Sequence, residues 1–211
     1  MPLLLSAGRA SLRAGLETCH ELSDALDAGI TQLAQGLERI AIVAVGGYGR
    51  REQCRHSDVD VMLLVEDEDA SSDATQQVLY PLWDAGLKVG HSVRTVSETM
   101  EASGNIETLT ALLDGRLVAG DAALFAAFER ERAQFATQRR GAMRKNLAQQ
   151  HRELVTRERW QLQQPEIKTG RGGLRQFQSM RWIDAADALV EGVPVPPLTE
   201  ELAAAQQVIF A

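Results

Sequence analysis

The sequence predicts an α+β protein: a small mixed-sheet module with an N-terminal helix over residues 1–119, then an all-helical domain over 120–211. Three observations predict it. Two continuous apolar runs, Ile40 to Val45 and Val59 to Val65, are set off by glycine or by polar residues, as buried strands are. Lys88 to Val96 alternates like a third strand. After Ser97 only helical periodicity remains.

Taken in order, residues 9–37 read as a helix, because Leu12, Leu16, Leu22, Leu26, Ile30, Leu33 and Leu37 recur at near-helical spacing. Gly29 and Gly36 loosen its end. The first strand stops at Gly46-Gly47, and the second is entered through Ser57-Asp58. Glu66 to Asp73 reads as an exposed acidic loop, 74–86 as a helix, and 97–114 as two short helices. From Asp121, a residue suited to capping an N-terminus, helical periodicity runs to about Gln163 with a break near Gly141. A polar, glycine-rich loop over 164–173 precedes a helix containing Phe177, Trp182, Ile183 and Leu189. Residues 192–197 form a linker before a last helical segment. Trp83, Trp160 and Trp182 are expected in the core.

Composition narrows the functional classes. No apolar run approaches the ~18–20 residues of a membrane span, and the opening MPLLLSAGRA lacks the basic start of a secretory signal. Cys19 and Cys54 have no metal-site spacing and are too few for a disulfide framework, so a reduced, cytoplasmic protein is expected. The net charge of −7 is unevenly spread. Arg130 to Arg181 carries 13 Lys and Arg against 4 Asp and Glu, and the remainder 9 against 25. Such an acidic remainder argues against wholesale nucleic-acid binding. The basic stretch could meet phosphates or an acidic partner, or be a solvated helix face.

Most of the chemical information lies between Val45 and Val61. Asp58 and Asp60 stand two residues apart at a strand, which predicts carboxylates on one face, with Val59 and Val61 turned to the core. Paired hard oxygens suit Mg²⁺ shared with phosphate. Gly46 and Gly47, with ten residues between Gly47 and Asp58, would let a triphosphate approach the backbone, and Arg50 would add a phosphate contact. The competing reading makes Asp58 a loop cap and Asp60 an exposed strand residue. The strand, the glycine pair and the spacer together favour the metal site. A P-loop is excluded because no Gly-Lys-Ser/Thr follows the glycines. A dinucleotide fingerprint is excluded because Glu52 stands where its third glycine would be.

Three ordered blocks carry a resemblance: Gly46-Gly47-Tyr48-Gly49-Arg50-Arg51-Glu52 with Ser57-Asp58-Val59-Asp60; Leu82-Trp83-Asp84 with Val89-Gly90-His91-Ser92-Val93-Arg94-Thr95; and Ile167-Lys168-Thr169-Gly170-Arg171-Gly172-Gly173-Leu174-Arg175 with Trp182. Together they resemble the nucleotidyltransferase domain of bacterial PII uridylyltransferases, also called uridylyl-removing enzymes, within the DNA-polymerase-β-like superfamily. The resemblance implies transfer of UMP from UTP to a tyrosine of the PII nitrogen-signalling protein, with Mg²⁺ on Asp58 and Asp60. Gly46, Gly47, Arg50, Ser57, Ser92 and Arg94 are the nucleotide contacts to expect. Lys168, Arg171 and Arg175 would grip phosphate or the acceptor, or simply decorate a helix-entry loop. Family members continue into an HD hydrolase domain and two ACT domains that these 211 residues do not include, so deuridylylation and glutamine sensing are not expected of this chain.

Some positions depart from the family pattern. Arg55 stands where the family has proline, and Gln176 where it has aspartate. The strand at 88–96 lacks the third carboxylate of many polymerase-β-like enzymes, as the family's own His-Ser-Val-Arg block does, so the general base is unassigned. Glu52 could serve, could orient Arg50, or could be a helix-surface charge. His91 reads more readily as structural than as a base. Rival readings keep the chemistry with another protein or small-molecule acceptor, including adenylyl transfer, or make the chain a non-catalytic module binding PII or nucleotide.

Overall fold

The computed structural model describes residues 15–67, 69–156, 166–170 and 172–210. The chain forms two compact units, 1–131 and 132–211. A mixed sheet in the first and, among the described residues, helices alone in the second give the α+β class expected.

The first unit opens with helix α1 (Leu16–Leu33); residues 9–14 of the expected helix lie outside the described residues. Strand β1 (Ile40–Ala44) is buried at every position. A single helical turn, α2 (Gly46–Gly49), follows it, and β2 (Val59–Val65) returns antiparallel to β1 with Ile40 opposite Val65 and Ala44 opposite Val61. The crossover to the parallel strand β3 (Val89–Arg94) is helical, as a parallel connection requires. It comprises α3 (Asp69–Ala74), a π-helical segment (Thr75–Leu79) and α4 (Tyr80–Asp84). Helix thus starts inside the stretch read as an acidic loop, because acidic and small polar residues are favoured in a first turn.

Helices α5 (Val96–Ala102) and α6 (Ile106–Leu113) match the two short helices expected. A strand that the sequence reading missed then appears, β4 (Arg116–Gly120), antiparallel to β1 and giving the order β3-β2-β1-β4. With five residues and an arginine at its start, it is too short for a periodicity to declare itself.

Strand alternation divides the core into two layers. Ile40, Ile42, Ala44, Val59, Val61 and Leu63 pack with Leu26 and Ile30 of α1 and with Val78, Leu79 and Leu82 of the crossover. Ala41, Val43, Met62 and Leu64 pack on the other face with Leu112 and Phe128. Burying both faces explains why β1 and β2 read as unbroken apolar runs.

Helix α7 (Ala122–Thr156) begins where expected: Asp121 Oδ1 accepts from the backbone N–H groups of Ala123 and Leu124 at 2.8 and 3.0 Å. Its backbone departs from helical geometry at Arg139, two residues before Gly141. The unit boundary falls within it, after Glu131. In the second unit α7 is tied to α8 (Leu174–Glu191) by Arg140 and Arg144 on Asp187, by Arg140 on Glu191, and by a 2.7 Å contact between His151 Nδ1 and Ser179 Oγ. Part of the basic surplus is therefore spent holding helices together. Gly170 and Gly173 shape the entry to α8, where a Cβ at either would overlap a backbone carbonyl, that of Glu166 or Ile167. Helix α9 (Glu200–Phe210) closes the chain. Among the described residues no helix is long and apolar enough to cross a membrane.

Trp182 is buried as expected, whereas Trp83 is 37% exposed. It sits at the surface because α4 is short and its ring packs against His91 and Tyr80 instead of entering the core. Trp160 lies outside the described residues.

Candidate active site

The C-terminal end of β1, the turn α2 and the start of β2 meet at one end of the sheet. The Val45 N–H donates to the Asp60 carbonyl at 3.0 Å, so the glycine turn leaves β1 directly beside Asp60. Gly46 takes φ +58°, a left-handed conformation that favours glycine. A Cβ there would lie 3.4 Å from Asp60 Oδ2. On the other side Asp60 pairs with Gly90 of β3, where a Cβ would overlap Asp60 Oδ1. The Asp60 carboxylate thus occupies space that two glycines vacate, half-buried on the sheet face of Met62 and Leu64.

Asp58 stands one residue ahead of β2 rather than on it, and is exposed. The side chain of Gln53 explains the shift. Its Nε2 donates to the carbonyls of Ser57 and Asp58, each at 3.2 Å, and so holds these two residues as a loop. Ser57 Oγ accepts from the Cys54 N–H at 3.3 Å, closing the same loop. Val59 then joins β2 with its N–H on the Lys88 carbonyl at 2.7 Å.

Ser92 and Arg94 pair with Met62 and Leu64, so they share the face of Asp60. His91 pairs with Val61 and takes the opposite face, 5.3 Å from the Trp83 ring and away from Asp60. Glu52 is buried, not a surface charge; its Oε2 accepts from Arg50 Nε at 2.7 Å. Arg50 also pairs with Asp114, just ahead of β4. Burial works against the Arg50 charge, but Asp114 and then Glu52 outweigh it and hold the guanidinium pKa above its ordinary value.

A second network clamps the turn. Tyr48, fully buried, donates its hydroxyl to Asp27 of α1 at 2.7 Å. Arg116 of β4 donates to both Asp27 oxygens, at 2.7 and 3.0 Å, and to the carbonyl of Gly49 at 3.3 Å. Burial pushes the Tyr48 phenol up, and the bond to Asp27 adds to it. A Cβ at Gly49 would overlap the Asp114 carbonyl, which is why that turn position must be bare. Asp27, Asp114 and Arg116 are the supporting residues that sequence reasoning missed. Their partners lie 21 to 89 positions away in the chain, beyond the reach of any local spacing.

Of the carboxylates near this end of the sheet, Glu52 and Asp114 are taken up by Arg50, and Asp58 and Asp60 are the pair that the sequence reading assigned to a metal. Among the described residues no group of three or more His, Cys, Asp or Glu side chains is placed to hold a metal ion. In the second unit Lys168 is exposed, and the Arg175 guanidinium lies 5.3 Å over the Trp182 ring. Arg171 lies outside the described residues.

Comparison with known proteins agrees with the motif resemblance. Residues 141–203 match the family model described as GlnD PII-uridylyltransferase. A bifunctional uridylyltransferase/uridylyl-removing enzyme of Methylococcus capsulatus is 40% identical over 176 residues, covering 78% of this chain and 19% of that protein. The protein of the same name from Thiobacillus denitrificans is 40% identical over 197 residues, covering 86% and 23%. That from Novosphingobium aromaticivorans is 39% identical over 155 residues, covering 69% and 17%. The chain spans about a fifth of the length of these curated relatives. Both the carboxylate end of the sheet and the later helical block fall under such matches, and the chain belongs to the family of bacterial bifunctional uridylyltransferases/uridylyl-removing enzymes.

Proposed function

We propose that this chain is a nucleotidyltransferase module that moves UMP from UTP to a tyrosine hydroxyl of a PII-type signalling protein, with Mg²⁺ as cofactor. The observation that carries the reading is the Asp60 carboxylate seated between Gly46 and Gly90, with Asp58 two residues away on an exposed loop. The donor set fits Mg²⁺, which takes one or two carboxylates and leaves its other positions to phosphate oxygens and water. When bound, Mg²⁺ would neutralise charge on the triphosphate and on the departing pyrophosphate.

The remaining roles belong to the chain itself. Asp58 and Asp60 hold the cation. Gly46 and Gly47 keep the floor beside them free of side chains, so phosphate can approach the backbone. Ser92 and Arg94 extend the Asp60 face along β3 and supply polar contacts to the nucleotide, and Ser57 does so from the loop. Arg50, held by Glu52 and Asp114, fixes the segment after the turn and presents its charge from a set position. Catalysis of this kind rests on positioning and charge neutralisation. The 132–211 unit, with Lys168 and Arg175 at the entry to α8 and Arg171 between them in sequence, would engage the acceptor.

UTP and PII are favoured by the family, and a cytoplasmic setting follows from both. The test is incubation with UTP or ATP, Mg²⁺ and purified PII, followed by intact-mass measurement of PII. The expected result is a UMP-sized increment that vanishes with Asp58→Asn or Asp60→Asn. Transfer from ATP, or onto another acceptor while PII stays unmodified, would replace the substrate assignment. Nucleotide binding without product under any metal would reduce the chain to a binding module.

A further inference from the structure

Cys19 and Cys54 are 35 positions apart in sequence, and the fold places their sulfurs 3.6 Å apart. Both are free thiols: Cys19 is buried in α1, and Cys54 is exposed in the loop between α2 and β2. We propose that they form an oxidisable dithiol, and that a peroxide closes it to a disulfide tying α1 to the loop that leads into Asp58.

The geometry suits the reaction. A disulfide bond is about 2.05 Å long, so closure asks roughly 1.5 Å of approach. Cys54 lies in an irregular, exposed segment that can supply that movement, while Cys19 is held within a helix. The two thiols are also unequal. The bond from Cys19 pulls the Cys54 pKa down, outweighing burial, with Ser57 helping. Cys19 is pushed up by the same bond and by burial. The exposed sulfur is thus the one with thiolate character, and the buried one stands next to it as the resolving partner. A soft metal would need further ligands, and among the described residues no group of three or more metal-binding side chains exists.

The step balances as follows. The Cys54 thiolate attacks one peroxide oxygen, the O–O bond breaks, and hydroxide leaves to take up a proton as water, giving a sulfenic acid. Cys19, losing its proton, attacks the Cys54 sulfur; the S–O bond breaks and a second water departs. Each sulfur gives up one electron, and peroxide is reduced to two waters. A dithiol reductant reverses the bond by exchange.

The experiment treats the purified chain with dilute hydrogen peroxide and reads its intact mass before and after dithiothreitol. The expected result is loss of two hydrogens, restored by the reductant, with a non-reducing digest joining the Cys19 and Cys54 peptides. Cys19→Ser should instead leave a sulfenic acid on Cys54 that dimedone traps, and Cys54→Ser should leave the buried Cys19 unmodified. A wild-type mass that stays unchanged, or that rises by whole oxygens with no joined peptide, overturns the proposal. So does a disulfide found only between two chains.

Discussion

At the scale of single residues, the site depends on side chains that are absent. Gly90→Ala would drive a methyl group into Asp60 Oδ1, whereas Gly47→Ala meets its nearest atom, on Arg50, only at 3.9 Å. Misplacing a reacting group by about 1 Å costs on the order of 10²-fold. Gly90→Ala is therefore expected to cut UMP transfer about 10²-fold, and Gly47→Ala far less, with both proteins folded. Rates of PII labelling alongside thermal melts check this; equal rates would remove Gly90 from the account. Gly47 was legible in the sequence because its signal is local, a glycine pair, a spacer and Asp-x-Asp; Gly90 was not, since only the pairing of β3 with β2 sets it against Asp60. The sequence put Asp58 at the entry to the second strand but could not show that Gln53 holds Ser57 and Asp58 as a loop through their carbonyls.

At the scale of elements, the turn after β1 is held by charges brought in from α1 and from the approach to β4. The side chains of Arg50, Glu52 and Asp114 are 17%, 6% and 7% exposed. Removing one partner of such a buried group costs about 3–5 kcal/mol. Asp114→Ala should lower stability by that order in a denaturant titration, and a change near zero would show the pairing to be dispensable. Tyr48 carries a pH signature. Its phenol is held above the ordinary value near 10 by burial and by Asp27, so the native state keeps a proton that the unfolded chain releases. That contribution is complete below pH ~10 and is lost progressively as pH rises beyond it. Melting temperatures should fall above pH ~10 in the wild type and fall less steeply in Tyr48→Phe; parallel curves would contradict the assignment. Strands β1, β2 and β3 were readable because each carries its own apolar or alternating pattern. Strand β4 was not, since its partner strand and the ion pair of Arg116 with Asp27 are contributed by distant segments.

At the scale of the molecule, a mixed-sheet unit bears the carboxylates and a helical unit bears a basic surplus, part of it committed to pairing α7 with α8. Apart from β4, the order of strands and longer helices could be read from periodicity. The pairing of Cys19 with Cys54, like the clamp on the turn, could not, because only the closed fold brings those segments together. The account as a whole rests on Asp58 and Asp60 jointly holding a divalent cation beside a nucleotide. Titrating Mn²⁺ into the chain with a non-hydrolysable UTP analogue, followed by electron paramagnetic resonance, tests this most directly. Nucleotide-dependent Mn²⁺ binding that disappears in both Asp58→Asn and Asp60→Asn is the predicted result, and binding that persists unchanged in either variant would contradict it.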